Sequence, residues 1–172
     1  MTNWWPNNRI TIKIRGILHK PFFKSCGNNL QLASGIVFIN THNITVGSNV
    51  YISYNVWLNG LAGLIIDDEV ILGPNVVIST LSHNYYNNSF RFGGAIGASV
   101  HIGKGTWIAS NATVKYGVSI GSGCLIGANS SVIKNVKNNT FVSGVPAKVI
   151  SDKIEAKVNF TIIKSRSGFN IN

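Results

Sequence analysis

An aliphatic residue returns at every sixth position over much of this chain. Seven such positions follow one another without a break from residue 96 onward: Ile96, Ile102, Ile108, Val114, Ile120, Ile126 and Val132. The residue four places after each of them is small or β-branched, as at Thr106 and Ala112. Repetition at a short fixed period is the sequence signature of a solenoid. Neither the 3.6-residue period of a helix nor the two-residue period of an amphipathic strand explains it.

The same spacing organises the chain upstream in three blocks of three repeats. Two blocks have aliphatic residues at these positions, Val46, Ile52 and Leu58, then Ile66, Leu72 and Ile78, and Cys26, Leu32 and Phe38 give a weaker version before them. Three hexapeptides make one turn of a triangular coil, with one aliphatic side chain pointing inward from each face. We therefore predict an all-β parallel β-helix. Its coils are expected at 26–45, 46–65, 66–83, 96–113 and 114–131, with a partial coil from Val132.

Three segments depart from the period. Residues 84–95 form a polar and aromatic insertion, and a long excursion from a regular solenoid is usually functional. Residues 9–15 alternate basic or polar residues with isoleucine, which predicts a strand within an N-terminal cap over residues 1–25. Residues 152–172 lose the repeat and are expected to form a C-terminal arm or cap after a β-helix domain at 26–151.

Composition and charge limit the partners of such a solenoid. The chain is 45% hydrophobic and only 12% charged, which excludes a disordered chain and a helical bundle. It carries 15 Lys and Arg against 5 Asp and Glu, so an anionic partner is expected: a phosphorylated cofactor, an acidic glycan or a membrane face. No basic run interleaves with aromatic residues in a nucleic-acid-binding module, so we expect no nucleic acid.

The metal-binding and redox residues are scattered. Cys26 and Cys124 lie far apart and are interpreted as reduced structural cysteines. The four histidines show no spacing typical of zinc ligands, so no metal site is predicted. The first residues lack the apolar region of a signal peptide, and no segment reaches transmembrane length, so we expect a cytoplasmic protein.

Three segments beyond the repeat resemble one enzyme family. They are GPNVVISTLSH at 73–83, IGKGTWIA at 102–109 and GVPAKVI at 144–150. With the repeat, they resemble the hexapeptide-repeat acyltransferases, in the branch of galactoside, maltose and polysaccharide O-acetyltransferases, over about residues 26–151. The resemblance implies a left-handed winding, whereas general crossover rules would favour a right-handed one. It also implies acyl transfer from acetyl-CoA.

The resemblance assigns candidate catalytic residues. His83 matches the family's catalytic base, a role that needs a neutral imidazole within reach of the acceptor hydroxyl. Asn55 matches an asparagine placed near the acceptor or the tetrahedral intermediate, although a simple turn asparagine would have the same sequence. Trp107 matches a tryptophan that lines the site beside the histidine, although packing between subunits would equally explain an outward aromatic residue. We expect a backbone carbonyl to orient His83.

The resemblance also assigns the cofactor contacts. Ser110 and Ala128 match positions whose backbone contacts the pantetheine arm of coenzyme A. Lys134 and Lys148 match basic positions near the nucleotide phosphates, where point charges suit diffuse recognition. The family often has an arginine just beyond the closing segment, where this chain has Ser151, and we expect Lys153 to compensate.

The expected reaction is O-acetylation of a sugar hydroxyl, with N-acetylation of an amino sugar or nucleotide-linked sugar as the alternative. Relatives that act on small sugars carry an acid in an N-terminal helical region, but no acid precedes Asp67 here. This absence and the basic N-terminus, which contains Trp4 and Trp5, favour a glycan acceptor from O-antigen or capsule synthesis. We expect a homotrimer whose site lies between subunits, and peripheral association with the membrane is left open.

Overall fold

The computed structural model describes residues 4–154, and these form a helix followed by a stack of short parallel strands. The helix α1 (Arg9–His19) leads into a 3₁₀ turn (Lys20–Phe22), and a second 3₁₀ turn (Thr41–Asn43) joins the first two coils. Coil 1 contains β1 (Ser25–Cys26), β2 (Gln31–Leu32) and β3 (Val37–Ile39). Coil 2 contains β4 (Ile44–Val46), β5 (Tyr51–Ile52) and β6 (Trp57–Asn59), and coil 3 contains β7 (Leu64–Ile66), β8 (Ile71–Leu72) and β9 (Val77–Ser79).

A hairpin separates coil 3 from the coils that follow. It consists of β10 (Leu81–His83) and β11 (Ala95–Gly97), which pair antiparallel. Coil 4 contains β12 (Val100–Ile102), β13 (Trp107–Ile108) and β14 (Thr113–Val114), and coil 5 contains β15 (Ser119–Ile120), β16 (Leu125–Ile126) and β17 (Ser131–Val132). A partial sixth coil contains β18 (Phe141–Ser143), and β19 (Lys148–Ser151) folds back antiparallel on β18.

The strands stack into three parallel sheets that are the faces of a triangular prism. The first strand of each coil lies on face A, the second on face B and the third on face C. Equivalent aliphatic residues stand in register from coil to coil, as Ile66 does with Val46 and Ile102. These ladders are buried and form one continuous core. The predicted parallel β-helix is therefore confirmed, because each period of six residues brings the chain to the next face of the prism.

The predicted start of coil 4 is wrong by one repeat. Ile96 lies in β11, is 41% exposed and pairs with Ser82 in the hairpin. Ile102 is the first residue of that run to stand in register with coil 3. The excursion therefore spans 81–97 rather than 84–95, and the six-residue spacing reaches Ile96 without that residue entering the core.

The corner between faces B and C shows why the chain is rich in asparagine. Asn55, Asn75, Asn111 and Asn129 each occupy this corner with φ between 55° and 60°. Among residues with a side chain, asparagine tolerates this left-handed conformation best, because its short amide can bond locally. The corner repeats in every coil, and the left-handed position is held by asparagine in coils 2–5 and by Gly35, with φ of 77°, in coil 1.

The N-terminal segment is a helix, and the predicted strand at 9–15 is wrong. The Asn8 side chain accepts hydrogen bonds from the first turn, and Thr11 completes a capping box. Ile12 and Gly16, four residues apart, are buried, so one side of the helix packs on coil 1. Isoleucines at 10, 12 and 14 produce a two-residue alternation because the helix is apolar on two sides. The predicted capping of the first coil is nevertheless what this segment does.

Arg15 anchors the cap. Its side chain is 2% exposed, and its guanidinium donates to the carbonyl oxygens of Trp5 at 2.7 Å and Leu32 at 3.3 Å and to Asn7 Oδ1 at 2.7 Å. These bonds tie the chain before the helix and coil 1 to the same buried cation. A buried arginine of this kind is stable only because its donors are satisfied.

Both cysteines are unbridged. Cys124 is buried, and its thiol donates to the carbonyl oxygen of Lys137 at 2.9 Å. Burial raises the pKa of the Cys26 thiol above its ordinary value, although the positive charge of Lys20 opposes the change. The structural interpretation of both residues fits this geometry.

Between residues 4 and 154, no helix is long and apolar enough to cross a bilayer. The predicted C-terminal arm at 152–172 lies, from residue 155 on, outside the described residues.

The close approach of α1 to coil 1 gives the first prediction. A Cβ at Gly16 would lie 1.8 Å from the Leu30 carbonyl oxygen, so Gly16→Ala must push the helix away from the coil. We expect a loss of about 1–3 kcal/mol in the free energy of unfolding, although helix propensity alone would favour alanine by about 1 kcal/mol. Urea unfolding, followed by circular dichroism, measures this change in the free energy of unfolding. Lys13→Ala, on the exposed side, is the control, and a Gly16→Ala protein as stable as wild type would contradict the packing.

Candidate active site

His83 ends β10, at the corner between faces C and A where the hairpin leaves the prism. The chain leaves this corner after Thr80 and returns at Ala98, whose N–H donates to the Thr80 carbonyl at 3.1 Å. His83 is exposed and lies opposite Ala95 in the hairpin. Its ring makes no hydrogen bond with any residue between 4 and 154, so the expected carbonyl that orients it is not found there.

Three of the other candidate residues lie at a different corner of the prism. Asn55 lies between faces B and C in coil 2, Ser110 in coil 4 and Ala128 in coil 5. They are therefore stacked along one edge of the prism. The hydrogen bond from the Asn129 N–H to the Ser110 carbonyl, at 3.0 Å, joins the last two of these coils along this edge.

Asn55 has a structural reason to be asparagine. Its φ is 55°, and it shares this left-handed conformation with the asparagines of the same corner in other coils. Its side chain is exposed at the edge of the prism. The turn alone accounts for the residue type, so a catalytic role for the Asn55 amide is a separate hypothesis that needs its own test.

Ser110 and Ala128 offer unused backbone donors. Within the described part of the chain, neither N–H donates a hydrogen bond, while their neighbours along the strands are paired. The two residues lie one coil apart, and the rung spacing of a parallel sheet is about 4.8 Å. An extended chain with amide carbonyls could therefore bond along this edge.

Trp107 lies on face B, in register with Ile71 of coil 3 and Leu125 of coil 5. It is 49% exposed, and Tyr51 and Phe141 continue the outward ladder on the same face. Face B is thus lined by apolar and aromatic side chains across five coils. Because the corner that bears His83 is the one opposite face B, Trp107 and His83 are not neighbours within one chain.

Lys134 and Lys148 do come together. Both are exposed at the C-terminal end of the prism and, with Lys137, line one cavity of about 440 Å³. The cavity floor includes Val132 and Val142 from the last coils. Asp152 also lines the cavity, so three ammonium groups stand against one carboxylate, and the net positive charge makes it a suitable site for an anion. Ser151 lies in β19, and its hydroxyl donates to the Lys153 carbonyl at 2.7 Å.

Aromatic residues of the hairpin form part of the candidate site that the sequence reasoning did not assign. Tyr85 and Phe90 pack with ring centroids 4.9 Å apart, and Phe92 is 79% exposed beneath the Arg91 guanidinium at 5.5 Å. A tight turn with left-handed Asn87 and Asn88 closes the hairpin. The aromatic composition of the insertion could have indicated this role, because aromatic residues outside the repeat do not pack in the core of the prism.

The remaining histidine near this level of the prism has a structural partner. His101 Nε2 lies 2.9 Å from Asp67 Oδ2, and the pair joins coils 3 and 4 along face A. Lys104 and Glu69 form a second link between the same coils at 3.2 Å. No group of three or more His, Cys, Asp or Glu residues that could hold a metal ion occurs in the described region.

Comparisons with known proteins agree with this architecture. The family model of the bacterial transferase hexapeptide (six repeats) matches residues 99–134. The galactoside O-acetyltransferase of Escherichia coli (strain K12) is 30% identical over 141 residues, which are 82% of this chain and 70% of that protein. A protein of the same strain that is named as a colanic acid biosynthesis acetyltransferase is 26% identical, over 90% of this chain and 82% of its own length.

A solved structure shows the same fold. The hexapeptide-repeat acetyltransferase of Vibrio cholerae, crystallised with acetyl-CoA, superposes with a TM-score of 0.76 at 26% identity, over 83% of this chain and 78% of that one. The left-handed winding of the prism is the one that the resemblance to this family implies. The repeat, the parallel prism and these likenesses agree, and the chain belongs to the hexapeptide-repeat acyltransferases.

Proposed function

We propose that this acyltransferase transfers the acetyl group of acetyl-CoA to a sugar hydroxyl, on a glycan of surface polysaccharide synthesis such as O-antigen or capsule. The observation that carries the proposal is an exposed imidazole at the base of an aromatic hairpin. The acetyl-CoA complex of the Vibrio cholerae relative supports the donor, and the names of the Escherichia coli relatives support a sugar acceptor. A cytoplasmic location remains a prediction.

The proposed chemistry assigns one proton transfer to His83. Its neutral imidazole removes the proton of the acceptor hydroxyl as that oxygen attacks the thioester carbonyl carbon. The tetrahedral intermediate bears an oxyanion, and the Asn55 amide is the proposed donor to it. Collapse breaks the carbon–sulfur bond, and the imidazolium returns its proton to the leaving thiolate. The products are an acetyl ester and coenzyme A.

The edge between faces B and C supports a binding mode for the donor. The unused N–H groups of Ser110 and Ala128 would bond the amide carbonyls of the pantetheine arm. Lys134 and Lys148 border the C-terminal cavity and would face the nucleotide phosphates. Trp107, on the adjacent face, would line the thioester end. Lys153 follows β19 and would supply the charge that Ser151 lacks.

The hairpin supports a glycan as acceptor. Sugar rings present apolar C–H faces, and exposed aromatic rings such as Tyr86, at 60%, and Phe92 offer flat apolar surfaces to match. No acid precedes Asp67, so residues 1–66 hold no counterpart of the acid that the family resemblance implies for small-sugar acceptors. Several aromatic contacts along an extended acceptor would replace that single polar contact.

The separation of the candidate residues supports a trimer. His83 is at one corner of the prism, whereas Asn55 and Trp107 are at the opposite side. They can meet where the corner of one copy faces its neighbour, and three copies in a ring close such a contact. The apolar ladder on face B is the kind of surface that a subunit contact would bury.

The main test of the reaction is His83→Ala. If His83 is the general base, turnover should fall roughly 10²–10⁴-fold with little change in acetyl-CoA affinity. Thiol release with acetyl-CoA and an oligosaccharide panel measures turnover, and calorimetry measures affinity. His101→Ala is the control, because that outward histidine is held by Asp67. An active His83→Ala enzyme, or an equal loss in the control, would refute the assignment.

A second substitution separates turn geometry from catalysis at Asn55. Glycine accepts φ of 55°, so Asn55→Gly preserves the corner while removing the amide. Loss of an oxyanion donor should lower kcat about 10²–10³-fold with an unchanged melting temperature. Asn49→Gly is the matched control, with φ of 60° at the corner between faces A and B. Equal activity in the two variants would leave Asn55 as a turn residue.

Mixing inactive variants tests whether the site is shared. In a trimer that pairs His83 of one copy with Asn55 of the next, random mixing of His83→Ala and Asn55→Gly chains leaves about a quarter of the sites intact. The mixed preparation, unfolded and refolded together, should recover that fraction of wild-type activity, and light scattering should give the mass of three chains. Refolding each variant alone is the control. No recovery in a confirmed trimer would place both residues in one subunit.

A further inference from the structure

The outer side of α1 is an apolar stripe that no residue between 4 and 154 covers. Ile10, Ile14, Ile17 and Leu18 are 68%, 36%, 69% and 49% exposed. Their spacing of four, three and one residues puts them on one side of the helix, opposite the side that Ile12 packs on coil 1. A contiguous exposed stripe of this kind marks an interaction surface, whereas single exposed aliphatic residues are ordinary.

Cations border the stripe. Lys13 and Lys20, seven residues apart, lie along one edge of it and line a cleft of about 210 Å³ between α1 and the turn after β1. Lys24 follows directly, and no acidic residue occurs before Asp67. An apolar helix side bordered by lysines is the pattern of helices that lie in the interface of an anionic bilayer.

Aromatic side chains stand at both ends of the stripe. Trp4 is 83% exposed just before the helix, and Phe22 is 63% exposed just after it. Tryptophan is favoured at the boundary between lipid headgroups and acyl chains, since its ring has an apolar body and a polar N–H. The two residues add exposed aromatic surface to the segments that flank the helix.

We propose that the α1 surface, defined by Ile10, Ile14, Ile17, Leu18 and the lysines Lys13 and Lys20, docks on an anionic phospholipid bilayer. The charge of this surface favours a bilayer over a second copy of the chain as the partner. Two such surfaces placed face to face would oppose lysine to lysine, and residues 4–66 contain no carboxylate side chain to neutralise them. A surface of phosphate headgroups complements both the cations and the stripe.

Docking there has a consequence for the acceptor, and this step rests on the proposed function. The helix covers coil 1, whereas the His83 corner follows coil 3, two rungs or about 10 Å further along the prism. A trimer with its axis along the prism would present three α1 surfaces at one end, and their binding would reinforce one another. The site would then stand just above the headgroups, within reach of a glycan carried on a membrane lipid.

Sedimentation of the full chain with vesicles tests the docking. Binding should be strong to phosphatidylcholine vesicles that contain phosphatidylglycerol, weak to phosphatidylcholine alone, and reduced by added salt. Ile17→Asp and Lys20→Glu should each weaken it about tenfold or more, while Ile17→Leu should preserve it. Lys115→Glu is the charge-matched control, because that lysine lies against Tyr116 in the turn after β14.

Acetyl-CoA binding separates this proposal from the proposed function. Lys20→Glu should keep the thermal stabilisation that acetyl-CoA gives, whereas Lys148→Glu should lose much of it and still bind vesicles. The docking would be overturned if phosphatidylglycerol did not increase vesicle binding by the wild-type chain. It would also be overturned if Lys115→Glu reduced vesicle binding as much as Lys20→Glu does. A smaller assembly in Ile17→Asp by light scattering would overturn it too, and would assign the surface to a second copy. None of these results bears on His83.

Discussion

The inward aliphatic ladder is the interaction on which the rest of this structure depends. Each of coils 2–5 contributes a branched aliphatic side chain to the ladder of every face, and the ladder buries it against the equivalent residues of the neighbouring coils. Full burial of such a side chain contributes roughly 1.5–3 kcal/mol, so one coil alone could not offset its ordering entropy. Stacking also pairs the backbone of each coil with the next, and a coil is therefore stable only within the stack.

This ladder explains how much of the fold could be predicted from the sequence. A residue such as Ile108 must point inward whatever surrounds it, so its position in the repeat fixes its place in the prism. The period fails where another interaction decides the conformation. Ile96 has the right spacing but belongs to a hairpin, and α1 has strand-like alternation because its apolar residues serve two sides. In both cases the decisive contacts are with distant parts of the chain.

The sequence was enough to predict the corner of the prism at which three candidate residues lie, but not the cleft that they would form with His83. The position of Asn55, Ser110 or Ala128 in its hexapeptide assigns it to the edge between faces B and C, and the structure has all three there. The distance of that edge from His83 is not a property of one coil, because it depends on how copies meet. The hairpin rings were missed for a related reason: a side chain outside the repeat has no position that the period could assign.

The charged residues form two separate positive regions along the prism, one beside α1 and one at the C-terminal cavity. The only acids of the repeat, Asp67, Asp68 and Glu69, are occupied with His101, the Ser48 N–H and Lys104. Residues 25–66 contain no lysine, arginine or acid, so coils 1 and 2 carry no charged side chain. Within residues 4–154, lysines gather beside α1 and around the C-terminal cavity, and the three acids of the repeat lie between these two regions. One anion could not reach both regions at once, so the lysines beside α1 and those of the C-terminal cavity are best understood as separate sites, one for headgroups and one for phosphates.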